Sequence, residues 1–408
     1  MMQIRSKAEA HPVATALIAV GTIISLFMIV DYVVEAATGY LMDLSVFRDA
    51  GGAFLHGLPL YSDDFPSTSG FRFIYAPFAA ILFAPMADVN QTALQVGWCA
   101  MNLVLVWWTL KMVFAKLQFQ RSSMVALATL GPVLLLEPMR SNFAFGQVNI
   151  ILMALVVADL TGVIPRRFRG IAIGLATAIK ITPGAFLLVL LVRRDFRSVG
   201  RSIGAVLATI LLGFWVLPDS SKWFWTAEFF STGRAGPPTF FRNQAITGLL
   251  ARLGADGMLE SVLWGLAVMI VVAATAWAAY RFSRAGEHVV ALGIVALGSL
   301  LAAPIAVTHH WTYSILLVPL LLAPQYRSWR PLIGIATVIW LIGPNYVLNT
   351  ETSGWVEGAV VELVGSSQCL IAMVLMVAAV VAAKSRKPVD EAPSVEGLRE
   401  DVLEPARS

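Results

Sequence analysis

Residues 12–30 read PVATALIAVGTIISLFMIV, a run without a single charge. An α-helix rises 1.5 Å per residue and a bilayer's hydrocarbon core is about 30 Å thick, so roughly 20 such residues span it. Arg5 and Lys7 precede the run. A secretory signal peptide opens in the same way, but its apolar core is only about 7–15 residues long. The run is therefore read as a retained first membrane helix whose N-terminus stays in the cytoplasm.

Outward from this segment the pattern repeats. The same length rule gives candidate spans at 12–36, 91–115, 122–139, 146–164, 202–217, 258–280, 288–308, 311–325, 331–348 and 363–383. Across all 408 residues, 58% are hydrophobic and only 13% are charged, with a mean hydropathy of +0.76. A soluble domain carries roughly 25% charged residues, so this chain lacks the polar surface to cover a water-soluble particle. Nucleic acid is not an expected partner. Cys99 and Cys369 both fall in apolar stretches and read as small buried hydrophobes rather than a disulfide or zinc site. No metal or cofactor is expected.

Lys and Arg mark cytoplasmic loops. They cluster at 111–121, 166–169, 193–201, 281–284, 327–330 and 384–387. If every cluster is cytoplasmic, the apolar stretch 170–192 begins and ends inside, and 72–90 begins and ends outside. Pro77 and Pro183 interrupt them, and proline breaks helices. Both are expected to be re-entrant hairpins, with ordinary kinked crossings as the alternative. The expected architecture is an all-α polytopic bundle of about 10–12 transmembrane or re-entrant helices. Residues 1–383 form the membrane domain, and 384–408 form a disordered cytoplasmic tail rich in charge, Pro and Ser. Polar residues that the charge rule leaves unexplained collect on the outer side.

There the first outer loop holds DLSVFRDA from Asp43, GLPLY from Gly57 and FIYAPFAAILFAP from Phe73. Residues 44–56 have helical apolar spacing and suit an amphipathic surface helix. Asp43 reads as that helix's N-cap or as a general base that takes a proton from an attacking hydroxyl. Arg48 and Tyr75 lie in the same loop. In MRSNFAFGQVN, from Met139, Gln147 and Asn149 either bind sugar hydroxyls or satisfy neighbouring helices. Being two apart, they would not share a helix face. Lys180 is the one charge between Ile171 and Val192, and an ionisable group at membrane depth is a functional candidate. Arg242, Asn243 and Gln244 form a dense donor cluster, and Arg suits bidentate phosphate recognition. His309 and His310 sit at an outer corner. With no third ligand close in sequence they read as hydrogen-bond donors rather than zinc ligands.

Taken in order, these segments resemble glycosyltransferase family 87. The resembling pieces are the three named in the first outer loop, GQVNIILMAL from Gly146, GIAIGLATAIKITP from Gly170, RNQAITGLL from Arg242 and SLLAAPIAVTHHW from Ser299. The resemblance implies a bundle of GT-C type with its site on the extracytoplasmic face of the cell membrane; ten crossings with the basic clusters inside place both termini in the cytoplasm. It implies a polyprenyl-phosphate sugar donor, with mannose the expected sugar, and a lipid or glycan acceptor. Transfer would be inverting, with Asp43 as base. A transporter or flippase of lipid-linked sugars is the other function that such a bundle could perform.

Overall fold

The structure is a computed structural model that describes residues 12–231, 236–348 and 355–388. Most of the tail expected over 384–408 thus lies outside the described residues. Among the described residues there is no β-strand. In chain order the helices begin α1 (Pro12–Thr38), α2 (Met42–Leu55), α3 (Pro77–Phe83), α4 (Gln91–Lys116), α5 (Ser122–Leu134) and α6 (Glu137–Phe145). They continue α7 (Asn149–Leu160), α8 (Ile171–Ile179), α9 (Leu187–Val192), α10 (Phe196–Val216), α11 (Pro218–Thr226) and α12 (Ile246–Arg252). The last are α13 (Gly257–Arg284), α14 (His288–Ala302), α15 (Arg330–Ile342), α16 (Pro344–Val347), α17 (Trp355–Gly365) and α18 (Ser367–Lys384).

Five helices are long and apolar enough to cross a membrane: Thr15–Thr38 within α1, then α4, α10, α13 and α18. The protein is thus an all-α polytopic membrane protein. A sixth crossing follows if α5 and α6 count as one, although they meet at 80°. The ten uninterrupted crossings expected from length alone are not all present. Leu136 is extended and Pro138 lies in the first turn of α6, so the helix expected over 122–139 breaks where a proline starts a new one. α7 has twelve residues, about 18 Å. The span expected over 311–325 is a succession of 3₁₀ turns, Thr308–Leu316, Val318–Leu321 and Pro324–Trp329, punctuated by Pro319 and Pro324.

Helices α1 and α5 pack closely because small residues face each other. The Ser25 hydroxyl donates to the Leu127 carbonyl at 2.6 Å and accepts the Gly131 N–H at 2.7 Å, an arrangement suited to apolar surroundings. Both cysteines are buried free thiols.

The segment 170–192 forms a hairpin. α8 stops at Ile179, Lys180 is extended, and a 3₁₀ turn over Thr182–Phe186 leads back through α9. Its two ends meet: Arg169 faces Asp195 at 3.7 Å, and Arg201 donates to the Arg169 carbonyl at 2.7 Å. Pro183 lies in the first turn of the returning piece. In 72–90, α3 and a 3₁₀ turn over Ala84–Met86 total ten residues, with Pro77 opening α3. That is about 15 Å of α-helix and too short to cross.

Asp159 holds the base of the 170–192 hairpin. It is fully buried and accepts the Gly170 and Ile173 N–H groups at 2.6 and 3.1 Å. These belong to the start of α8, where amides have no partner inside the helix. Asp159→Ala should cost about 2–3 kcal/mol, the usual range for losing hydrogen bonds to a charged group, seen as a lower unfolding midpoint in detergent. An unchanged midpoint would mean that packing alone seats the hairpin.

The basic clusters gather at this same end. Arg193 contacts His288 at 3.1 Å, Arg386 pairs with Glu287 at 2.6 Å, and Arg281 donates to the Ala383 carbonyl at 3.1 Å. The polar cluster described next sits at the other end of α7.

Candidate active site

The connection between α1 and α2 is fixed by Gln95 of α4. Its amide donates to the Ala36 and Gly39 carbonyls at 2.8 and 3.0 Å and accepts the Leu41 N–H at 3.3 Å. α2 then starts with Leu41 at its N-cap position and buries Leu44, Phe47, Ala50 and Ala53. Asp43 is inside the first turn, so the N-cap reading does not hold. Its carboxylate instead accepts the Gln147 amide N–H at 2.7 Å.

Gln147 reaches Asp43 because α6 ends at Gly146 in the left-handed conformation, φ +69°, a region open to glycine without penalty. The chain turns over 146–148 before α7 begins at Asn149. Gln147 and Asn149 therefore do serve one site, since the face rule holds only within a helix. The Tyr75 hydroxyl donates to the Gln147 carbonyl oxygen at 3.3 Å. The Asn149 amide donates to the His309 carbonyl at 3.0 Å, and its oxygen accepts from Lys180 at 3.0 Å. Lys180 stands 5.8 Å over the Tyr75 ring, within cation–π range. His309 packs edge-on to Phe145 and His310.

Asp43, Tyr75, Gln147, Asn149, Lys180, His309 and His310 thus form one constellation drawn from five separate stretches of chain. Burial pushes the Asp43 carboxyl up to about 6, although the Gln147 hydrogen bond and the Lys180 charge pull it down. A carboxylate so tuned is a competent base near neutral pH.

The other candidates lie elsewhere. The Asn243 carbonyl oxygen accepts the Ala245 and Ala306 N–H groups at 3.2 and 3.0 Å, and its amide donates to Thr247. Gln244 donates to the Gly365 carbonyl at 2.9 Å and accepts the Cys369 N–H. Both are fully buried; Asn243 braces the segment leading to His309 and Gln244 the junction of α17 and α18. Arg242 lies in electrostatic reach of Glu137. Arg48 has a buried, unpartnered Nε and makes no hydrogen bond to the constellation. Sequence reading missed Gln95 and Asp159. Both are buried polar residues inside apolar helices, and that signal alone does not tell a brace from a site residue.

Beside the constellation runs an apolar groove of about 440 Å³, lined by Leu82, Met86, Leu94, Met101, Val148 and Ile179. Two of its lining residues are chain neighbours of the constellation: Val148 lies between Gln147 and Asn149, and Ile179 precedes Lys180.

Several curated proteins are similar to this chain. A polyprenol-phosphate-mannose-dependent alpha-(1-2)-phosphatidylinositol mannoside mannosyltransferase of Mycolicibacterium smegmatis is 37% identical over 334 residues, 74% of this chain and 75% of that protein. One of the same name from Mycobacterium tuberculosis is 35% identical over 314 residues, 72% of each. A phosphatidylinositol pentamannoside mannosyltransferase of M. tuberculosis is 30% identical over 296 residues, 69% of this chain and 65% of that protein. No solved structure matches the chain. With its apolar helices, the protein is a membrane-embedded glycosyltransferase. The sequence profile of glycosyltransferase family 87 matches residues 73–307, and the chain belongs to that family. Asp43, His309 and His310 lie just outside the matched stretch.

Proposed function

We propose that the protein moves a mannosyl residue from polyprenyl-phosphate mannose to a hydroxyl of a phosphatidylinositol-mannoside-like lipid acceptor, with Asp43 as the base. One observation carries this reading: a half-buried carboxylate and a lysine share a polar cluster beside an apolar groove. The relatives' names supply the sugar, the carrier and the acceptor class. The reaction faces the extracytoplasmic side of the cell membrane and both termini are cytoplasmic. Supporting this orientation, the basic clusters gather at the far end of α7, and such residues favour the cytoplasm.

In this mechanism the prenyl chain lies in the apolar groove and its phosphate meets Lys180. Asp43 Oδ2 is held by Gln147, which leaves Oδ1 for the acceptor hydroxyl. As that oxygen attacks the anomeric carbon, its proton passes to Asp43 and the bond from that carbon to the phosphate oxygen breaks. The anomeric centre inverts in this single displacement. Lys180 stabilises the charge that grows on the leaving phosphate, an electrostatic contribution of the kind that often dominates catalysis. Neutral imidazoles of His309 and His310 complete the wall. No metal is required for these steps.

The test is purified protein in detergent, supplied with radiolabelled polyprenyl-phosphate mannose and an octyl mannoside, with no membrane gradient. Labelled product is expected; none, with the protein folded, would exclude this donor and acceptor pair. In the same assay kcat/KM should be flat above about pH 7. It should fall tenfold per unit below the Asp43 value of about 6, because the base acts only when deprotonated. A profile flat down to pH 4.5 would remove Asp43 from the role of base.

A further inference from the structure

Asn142 sits in the last turn of α6, only 1% exposed, and bonds to two residues of the constellation. The turn that follows does not need its side chain. The Gly146 N–H donates to the Phe143 carbonyl and the Gln147 N–H to the Asn142 carbonyl, both at 3.0 Å. These are the backbone bonds of a helix end closed by a left-handed glycine, and any residue at 142 supplies them. The Asn142 amide is turned elsewhere. Its nitrogen donates to the Gln147 carbonyl and its oxygen accepts from the Asn149 amide, each at 3.3 Å.

Chemistry fixes the direction of every bond in this chain of amides. A lysine ammonium only donates, so Asn149 has to face Lys180 with its oxygen, at 3.0 Å. Its nitrogen then points at the His309 carbonyl, 3.0 Å away, and at the Asn142 oxygen. Backbone carbonyls only accept, so the Asn142 nitrogen faces Gln147. That carbonyl belongs to the turn closed by backbone bonds and serves as a fixed anchor. Without the Asn142 oxygen, one buried N–H of Asn149 loses its acceptor, which is costly. Rotating the Asn149 amide toward another acceptor would relieve that cost and carry its oxygen away from Lys180.

We propose that Asn142 is a positioning residue for transfer: through Asn149 it holds the Lys180 ammonium where the donor's phosphate leaves. Being buried, Asn142 acts without touching either substrate. This rests on the reading of Lys180 as the group that meets the phosphate, and adds what aims it.

The experiment uses polyprenyl-phosphate mannose and an octyl mannoside, and compares the wild type with Asn142→Leu, Lys180→Met and the double variant. Leucine keeps the branched outline of asparagine but neither donates nor accepts. Asn142→Leu should lower kcat/KM for the donor about tenfold, the scale of one hydrogen bond, with acceptor KM changed less than about twofold. Added to Lys180→Met, the same substitution should change donor kcat/KM less than about twofold, because the group it aims is gone and effects within one network do not add. A mere brace would impair both backgrounds alike. Equal losses in the two backgrounds, or no loss in the first, would overturn the positioning role while leaving the transferase reading intact. If Lys180→Met itself left donor kcat/KM unchanged, the phosphate reading would fail and the positioning role with it. Should Asn142→Leu not fold, Asn142→Ala takes its place in the same comparison.

Discussion

Asp43→Asn should lower the transfer rate by about 10²–10⁴-fold, the range associated with losing a general base. The substitution is nearly isosteric. An Asn carbonyl oxygen still accepts the Gln147 amide N–H that Asp43 now accepts at 2.7 Å, so α2 and the turn at 146–148 keep their geometry. What disappears is the ability to take a proton. The measurement is the initial rate at saturating donor and acceptor, with donor binding followed separately. Full donor binding with no turnover supports the base. A rate within tenfold of wild type would leave Asp43 a structural residue of the first turn of α2.

Lys180→Met should act on the donor. Methionine keeps the unbranched apolar stem, one atom shorter, but removes the charge beside Asn149 and Tyr75. Hydrogen bonds to charged groups contribute about 1.5–3 kcal/mol, so kcat/KM for the donor should fall roughly tenfold to 150-fold. The acceptor KM should stay near the wild-type value. Loss of the Asn149 contact alone would lower the unfolding midpoint without selecting the donor. Equal losses for donor and acceptor would therefore place Lys180 among the braces of the hairpin.

These expectations rest on features of unequal legibility. The membrane class follows from composition, because too few charges exist to cover a soluble particle. α1, α4, α13 and α18 follow from unbroken apolar runs, whose hydrogen bonds all close within the helix and so depend on no partner. The hairpin at 170–192 is legible too, since basic residues flank both ends and Pro183 interrupts the run. Lys180 stands out as a charge where charges are costly, whereas Asp43, in an outer loop, read equally as a helix cap or a base until the family resemblance singled it out.

Tertiary structure alone decided the rest. The apolar run over 122–139 carries its break at Leu136, and whether Pro138 kinks a helix or starts a new one depends on what the bent chain packs against. Gln147 and Asn149 seemed divided by helix periodicity, but the left-handed turn at Gly146 lets Gln147 reach Asp43 while Asn149 meets Lys180 and the His309 carbonyl. Asn243 and Gln244 carried the same donor groups as the site residues, and only their neighbours, Ala306 and Gly365, show them to be braces. A sequence determines which segments enter the membrane because burial of apolar surface is nearly local. Which buried polar groups meet one another depends on long-range contacts, such as those that bring Asp43, Gln147, Asn149 and Lys180 together from distant parts of the chain.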